Sequence, residues 1–202
     1  MGGWTDRHMA LMVRGHLPLL SPGWSLGVGI RPKVRPIRGN LEAWGSTGHT
    51  AEMPASIRDA KLTDMEELQA VFQRASLSNQ NDRGSLLEHP EWLILSESGV
   101  LQGRMRVAVS DDGAVVGFAT YLIAGGIVEL EDLFVDPPWM RRGIGQALVL
   151  DLSARLRELG FKTLEVTANP HAMAFYEHLG FVKFEIVATQ FSPASRMRRP
   201  II

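Results

Sequence analysis

Residues 131–146 constrain this chain more than any other stretch. An apolar run ending at Val135 gives way to a proline-marked loop, then to Gly143-x-Gly145 and a helical pattern. That order leaves the first N–H groups of a helix without intrahelical acceptors, at the positive end of the helix dipole. The two glycines let a bulky anion approach the main chain, and Arg141 and Arg142 add charge at the mouth. The segment therefore reads as an anion site. A nucleoside-triphosphate loop is excluded, because Gln146-Ala147 stands where Lys and Ser or Thr would follow the last glycine. A dinucleotide fingerprint fits poorly. Leu148 occupies its third small position, residues 136–142 separate the glycines from the strand, and Glu165 lies inside a strand instead of at its end.

Strand and helix signals alternate around this loop. Residues 56–59 predict a first strand, and Thr63-Asp64-Met65-Glu66 offers a capping box for a helix carrying Leu68, Val71, Phe72 and Ala75. Residues 80–103 contain helical pieces around Leu86, Leu87, Trp92, Leu93 and Leu95, with Pro90 placed to open the second. Two β-rich runs, 104–110 and 115–122, flank Asp111-Asp112-Gly113 and predict a hairpin. Gly125-Gly126 then turns the chain into a fourth strand over 127–135. Ile144, Leu148, Leu152, Leu156 and Leu159 form the stripe of an amphipathic helix that Gly160 ends. A fifth strand is expected over 162–167, a short helix over 172–179, and a further strand over 182–188.

The chain has 202 residues, 45% of them hydrophobic, which suits one domain, placed at 53–192. Residues 1–52 are rich in Gly, Pro, Trp and Arg without a lasting period, and read as a disordered or non-native N-terminal extension with Met53 as an alternative start. Six basic residues there against three acidic ones give a formal +3, which leaves −4 elsewhere. Residues 193–202 read as a frayed basic tail. A net charge of −1 gives no general pull toward nucleic acid or a membrane surface, and the apolar run 9–20 is broken by Arg14, His16 and Pro18. Cysteine is absent, so acyl-cysteine chemistry is excluded and a reducing, cytoplasmic location is expected. His8, His16, His49, His89 and His178 show no metal spacing, and no metal is expected.

Several motifs together carry a resemblance. Leu133-Phe134-Val135-Asp136-Pro137, Arg142-Gly143-Ile144-Gly145-Gln146-Ala147-Leu148, Asn169-Pro170, Ala174-Phe175-Tyr176 and Leu179-Gly180-Phe181 resemble the GNAT superfamily of N-acetyltransferases, over about residues 55–190. The resemblance implies an α/β (α+β) fold: a mixed, mostly antiparallel sheet of six to seven strands, flanked by about four helices. In it the fourth strand, the helix after Gly143 and the fifth strand make a parallel cofactor unit. It also implies acetyl-CoA as co-substrate and an amine acceptor on a small molecule, peptide or protein, and it admits a homodimer. A non-catalytic acyl-CoA-binding module of the same fold is the competing reading. One departure stands out: the family prefers Gln or Arg where this chain has Met140.

Site roles follow from the same resemblance. Arg141, Arg142, Gly143, Ile144, Gly145, Gln146 and Ala147 would hold the CoA pyrophosphate. Main-chain groups around Phe134 and Val135 would pair with the pantetheine arm, and Asn169 would contact that arm or orient the exit of the fifth strand. Tyr176 corresponds to the proton donor for the leaving thiolate. For the base, period two puts Glu129 and Glu131 on one face of the fourth strand and Asp132 with Leu130 and Phe134 on the other. Glu131 is the expected base, working through water.

Overall fold

The computed structural model describes residues 55–188 and 193–201, so the expected N-terminal extension lies outside the described residues. The elements are β1 (Ala55–Asp59), α1 (Met65–Ser78), α2 (Gln80–Glu88), α3 (Ser98–Leu101), β2 (Met105–Ser110), β3 (Val115–Ala124), β4 (Ile127–Val135), α4 (Ile144–Glu158), β5 (Thr163–Ala168), α5 (Met173–His178), β6 (Val182–Val187) and β7 (Ala194–Pro200). One sheet runs β1-β2-β3-β4-β5-β7-β6, antiparallel throughout except for the parallel pair β4 and β5. This is the mixed α/β architecture that the sequence predicts. Among the described residues, no helix is long and apolar enough to cross a membrane.

Turn chemistry sets most boundaries. Gly125 and Gly126 both adopt positive φ, 59° and 82°, in the tight turn from β3 to β4. Gly160 ends α4 at φ 89°, with its N–H on the Arg157 carbonyl and that of Phe161 on the Leu156 carbonyl. The start of α1 differs from expectation. Asp64, not Thr63, organises it: the Asp64 carboxylate accepts the Lys61 N–H at 2.7 Å and the two Arg58 guanidinium nitrogens at 2.7 and 2.9 Å. The Arg58 hydrogen bonds hold that carboxyl below its ordinary range.

The C-terminal segment needs a larger correction. It is no frayed tail: β7 lies inside the sheet, paired with β5 from Thr163↔Pro200 to Ala168↔Ser195 and with β6 on its other side. Its arginines hide a period of two. Met197 and Ile201 enter the core, while Arg196 faces the opposite side and ion-pairs with Glu165 at 2.7 Å and Glu185 at 2.8 Å.

The sheet is covered on both faces. One cluster packs α4 through Ile144, Leu148, Leu152 and Leu156 against Ala119, Tyr121, Leu130, Leu133, Val135 and Val166. The other packs α1 through Leu68, Val71, Phe72 and Ala75 against Val107, Phe118 and Phe134. Membership of these clusters corrects the parity of β4. Thr120 opposes Asp132 but Tyr121 opposes Leu130, so Glu131 is an extra residue, a β-bulge. Leu130 therefore faces α4 together with Leu133 and Val135, and Asp132 shares the α1 side with Phe134. The spacing of two no longer obliges Glu129 and Glu131 to share a face.

Gly117 lets α4 close down on β3. A Cβ there would lie 2.9 Å from the Phe134 carbonyl oxygen and 3.4 Å from Ile144 and Leu148. Gly117→Ala is expected to destabilise the fold by about 1–3 kcal/mol through overpacking against backbone. Gly84→Ala, in α2 with nothing within 4 Å, is expected to stabilise it by about 0.5–1 kcal/mol. Urea midpoints of the two variants check both signs.

Candidate active site

β4 and β5 pair at Glu129↔Glu165 and Leu130↔Val166 alone. Beyond that point β4 stays on β3 as far as Gly117↔Val135, and β5 stays on β7 as far as Ala168↔Ser195. The strands thus diverge toward their C-terminal ends. The inner edges of residues 131–135 and 167–168 have no ladder partner in each other, and an open strand edge is a template for an extended polar ligand.

The N-terminus of α4 stands at the end of this opening. Gly143 is its N-cap at φ 81°, without a side-chain cap, and the first turn carries no acidic residue. The helix begins with the Ala147 N–H on the Gly143 carbonyl, so the N–H groups of Ile144, Gly145 and Gln146 have no intrahelical acceptor. The Ile144 side chain is in the core, which leaves its main chain as the part that can serve a ligand. Phe134 is alike: its ring sits 4.9 Å from Phe72 and 5.4 Å from Phe118, and its contribution to the opening is backbone. Val135 is buried and borders Gly145, whose added Cβ would lie 3.7 Å from Val135 and 3.5 Å from the Phe175 ring. Loop, β4 and α5 therefore converge on Gly145.

Charge at the mouth comes from two arginines of different posture. Arg142 is exposed, with its guanidinium 4.9 Å over the Trp139 ring. Arg141 holds a left-handed φ of 63°. Met140 packs against both core clusters, so a half-buried thioether stands where the family prefers a polar side chain. Sequence reasoning missed one anchor: Asp136 accepts two hydrogen bonds from Arg74 of α1, at 3.0 and 2.7 Å, and donates its N–H to the Val116 carbonyl. Only a three-dimensional fold brings residues 62 positions apart into that pair.

On the other side, Asn169 Oδ1 accepts the Ala172 N–H at 2.9 Å, and the Ala172 carbonyl accepts the Tyr176 N–H. Asn169 thus sets the turn that carries Tyr176. Tyr176 is fully buried between Phe175 and Phe181, its hydroxyl has no hydrogen-bond partner, and burial raises its pKa well above the usual value. A buried phenol without a partner is the kind of orphan that a ligand atom satisfies. Together with the uncapped helix and the bare strand edge, it offers polar groups suited to an elongated anionic ligand.

Three carboxylates of β4 border the opening in different states. Glu129 accepts the Thr167 hydroxyl at 2.7 Å. Glu131, at the bulge, accepts from Arg104 at 3.1 Å. Asp132 is buried at 8% exposure, on the α1 side.

Known proteins share this architecture. The Acetyltransferase (GNAT) family matches residues 65–181. Glucosamine 6-phosphate N-acetyltransferase of Trypanosoma brucei brucei is 28% identical over 136 residues, covering 59% of this chain and 92% of that protein. The [ribosomal protein bS18]-alanine N-acetyltransferase of Escherichia coli K12 is 37% identical over 76 residues, 36% of this chain and 51% of that one. In structure, phosphinothricin acetyltransferase of Sinorhizobium meliloti, solved in complex with AcCoA, aligns with a TM-score of 0.56 at 24% identity, over 73% of this chain and 89% of that one. The diverging β4 and β5, the glycine-capped α4 between them and this match over more than half of the sequence make the chain a member of the GNAT family of acetyltransferases.

Proposed function

We propose that the protein moves an acetyl group from acetyl-CoA to a primary amine by direct attack of the amine nitrogen. The observation that carries this reading is the unpaired inner edge of β4, running from the bare N–H groups of α4 toward a site bordered by the orphaned Tyr176 hydroxyl. Relatives named for N-acetylation of glucosamine 6-phosphate and of an alanine of ribosomal protein bS18 support an amine acceptor.

Acetyl-CoA supplies the activated acyl group. The N–H groups of Ile144, Gly145 and Gln146, at the Gly143–Ala147 turn, hold the pyrophosphate, with Arg141 and Arg142 adding charge. Main-chain groups of Phe134 and Val135 bond the pantetheine arm and polarise the thioester carbonyl. Tyr176 gives a proton at the sulfur, and its burial keeps the phenol in the donor form across the working pH range. Asn169 acts upstream, fixing the turn from which Tyr176 is presented. Glu131 draws a proton from the amine through water, its direction fixed by Arg104.

Thiol release from acetyl-CoA across a panel of primary amines tests the whole reading. The panel includes glucosamine 6-phosphate and a peptide with an N-terminal alanine. Tight acetyl-CoA binding with no release on any amine would return the protein to the acyl-CoA-binding module. Tyr176→Phe is expected to slow the chemical step about a hundredfold, as for a positioned acid. Its acetyl-CoA affinity should hold, and its thermal midpoint should not fall, since the variant removes an unsatisfied buried hydroxyl. Unchanged turnover under chemistry-limited conditions would take the donor role from Tyr176. Glu131→Gln is expected to slow the chemical step about a hundredfold, as for a positioned base, and unchanged turnover under chemistry-limited conditions would assign the base elsewhere.

A further inference from the structure

α1 and α2 together cross the sheet above the opening between β4 and β5. Near the start of α1, the Glu67 carboxylate accepts the Val115 N–H of β3 at 2.7 Å. In its middle, the Phe72 ring lies 4.9 Å from Phe134 of β4, and Arg74 bonds Asp136 just past that strand. The chain then enters α2, where burial raises the Asp82 carboxyl and the charge of His171, three residues beyond β5, opposes the rise. The two helices therefore reach from β3, over β4, to the turn that follows β5. The stretch between Arg74 and Asp82 spans the opening.

The buried stripe of α1 turns polar there. Leu68 and Phe72 give way to Ser76 and Asn79, at 0% and 6% exposure. The Asn79 amide donates to Asp82 at 2.5 Å. The Ser76 hydroxyl is enclosed and has no hydrogen-bond partner. A buried helical serine has the carbonyl four residues earlier as a ready acceptor, and Ser153 of α4 uses it, donating to Val149 at 2.7 Å. Ser76 leaves it unused. It stands one turn past Phe72 on the same side of the helix, about 6 Å farther along the axis toward α2. That step leads from Phe134 toward β5, over the unpaired edge of β4.

We propose that the Ser76 hydroxyl is a cofactor contact, bonding the pantetheine arm of acetyl-CoA from the α1 side. The proposal rests on the acetyl-transfer reading above. An arm laid along β4 pairs its amides with the strand edge, and its branches project above and below the sheet as strand side chains do. The pantoyl hydroxyl is such a branch, and it lies next to the pyrophosphate, at the end of the seam where Phe134, Val135 and the α4 N-terminus meet. A serine hydroxyl both donates and accepts, so it can pair with that group in either sense. A buried hydroxyl left unpaired is costly, and the arriving arm removes that cost.

Calorimetry on full-length wild-type protein and Ser76→Ala, with acetyl-CoA and with CoA, tests the contact. The dissociation constants of both ligands should rise about three- to tenfold in the variant, the range for one lost hydrogen bond. The thermal midpoint of the ligand-free variant should not fall, because alanine favours the helix and the substitution removes an unsatisfied hydroxyl. A fallen midpoint would mark Ser76 as structural and overturn the contact. Unchanged affinity in Ser76→Ala, or a loss confined to acetyl-CoA, overturns it as well, while wild-type binding of both ligands leaves the acetyl-transfer reading standing. Wild-type protein that binds neither ligand overturns that reading and the contact together.

Discussion

Two parallel strands held from outside and released from inside create the space on which everything else in this protein depends. β4 is fixed by eight register pairs to β3 and β5 by six to β7, whereas only two join β4 to β5. Outer pairing of this extent lets the inner seam stay open without loss of the sheet. The bulge at Glu131 adds local bend and twist just where the seam parts. Backbone groups left bare in a partly buried seam are costly unless something bonds them. A ligand with amides along its length is a natural complement.

α4 must then be set against β3 and β4 closely enough for its N-terminus to command the seam. Gly117 permits the approach, and Arg106 ties the helix to the sheet through Asp151 at 2.6 and 3.1 Å. Arg74 holds the loop before the helix through Asp136. Met140, joined to both core clusters, locks the same loop from within. Where the family pattern has a polar side chain, this chain fixes the loop by packing.

Local signals were legible in the sequence wherever one residue type has one physical use. Gly125-Gly126, Gly160 and Gly180 each mark a positive φ, and the leucine stripe marks α4. What stayed hidden depends on pairing between distant segments. Nothing in Glu129-Leu130-Glu131-Asp132 announces a bulge, because the extra residue exists only relative to Thr120 and Tyr121. β7 was masked because arginine-rich sequence resembles a solvated tail until Glu165 and Glu185 are seen to neutralise Arg196. Thr63 outranked Asp64 as a cap because the Arg58 partner comes from β1, outside the helix.

Buried polar atoms without partners give a second view of the seam. Tyr176 belongs to the core under α4, and Thr120 lies on the opposite face, under α3. Each hydroxyl reduces stability where an apolar group of the same shape would not. Their placement puts one orphaned hydroxyl on each face of the sheet, close to the strands β3 and β5 that flank β4 at the seam.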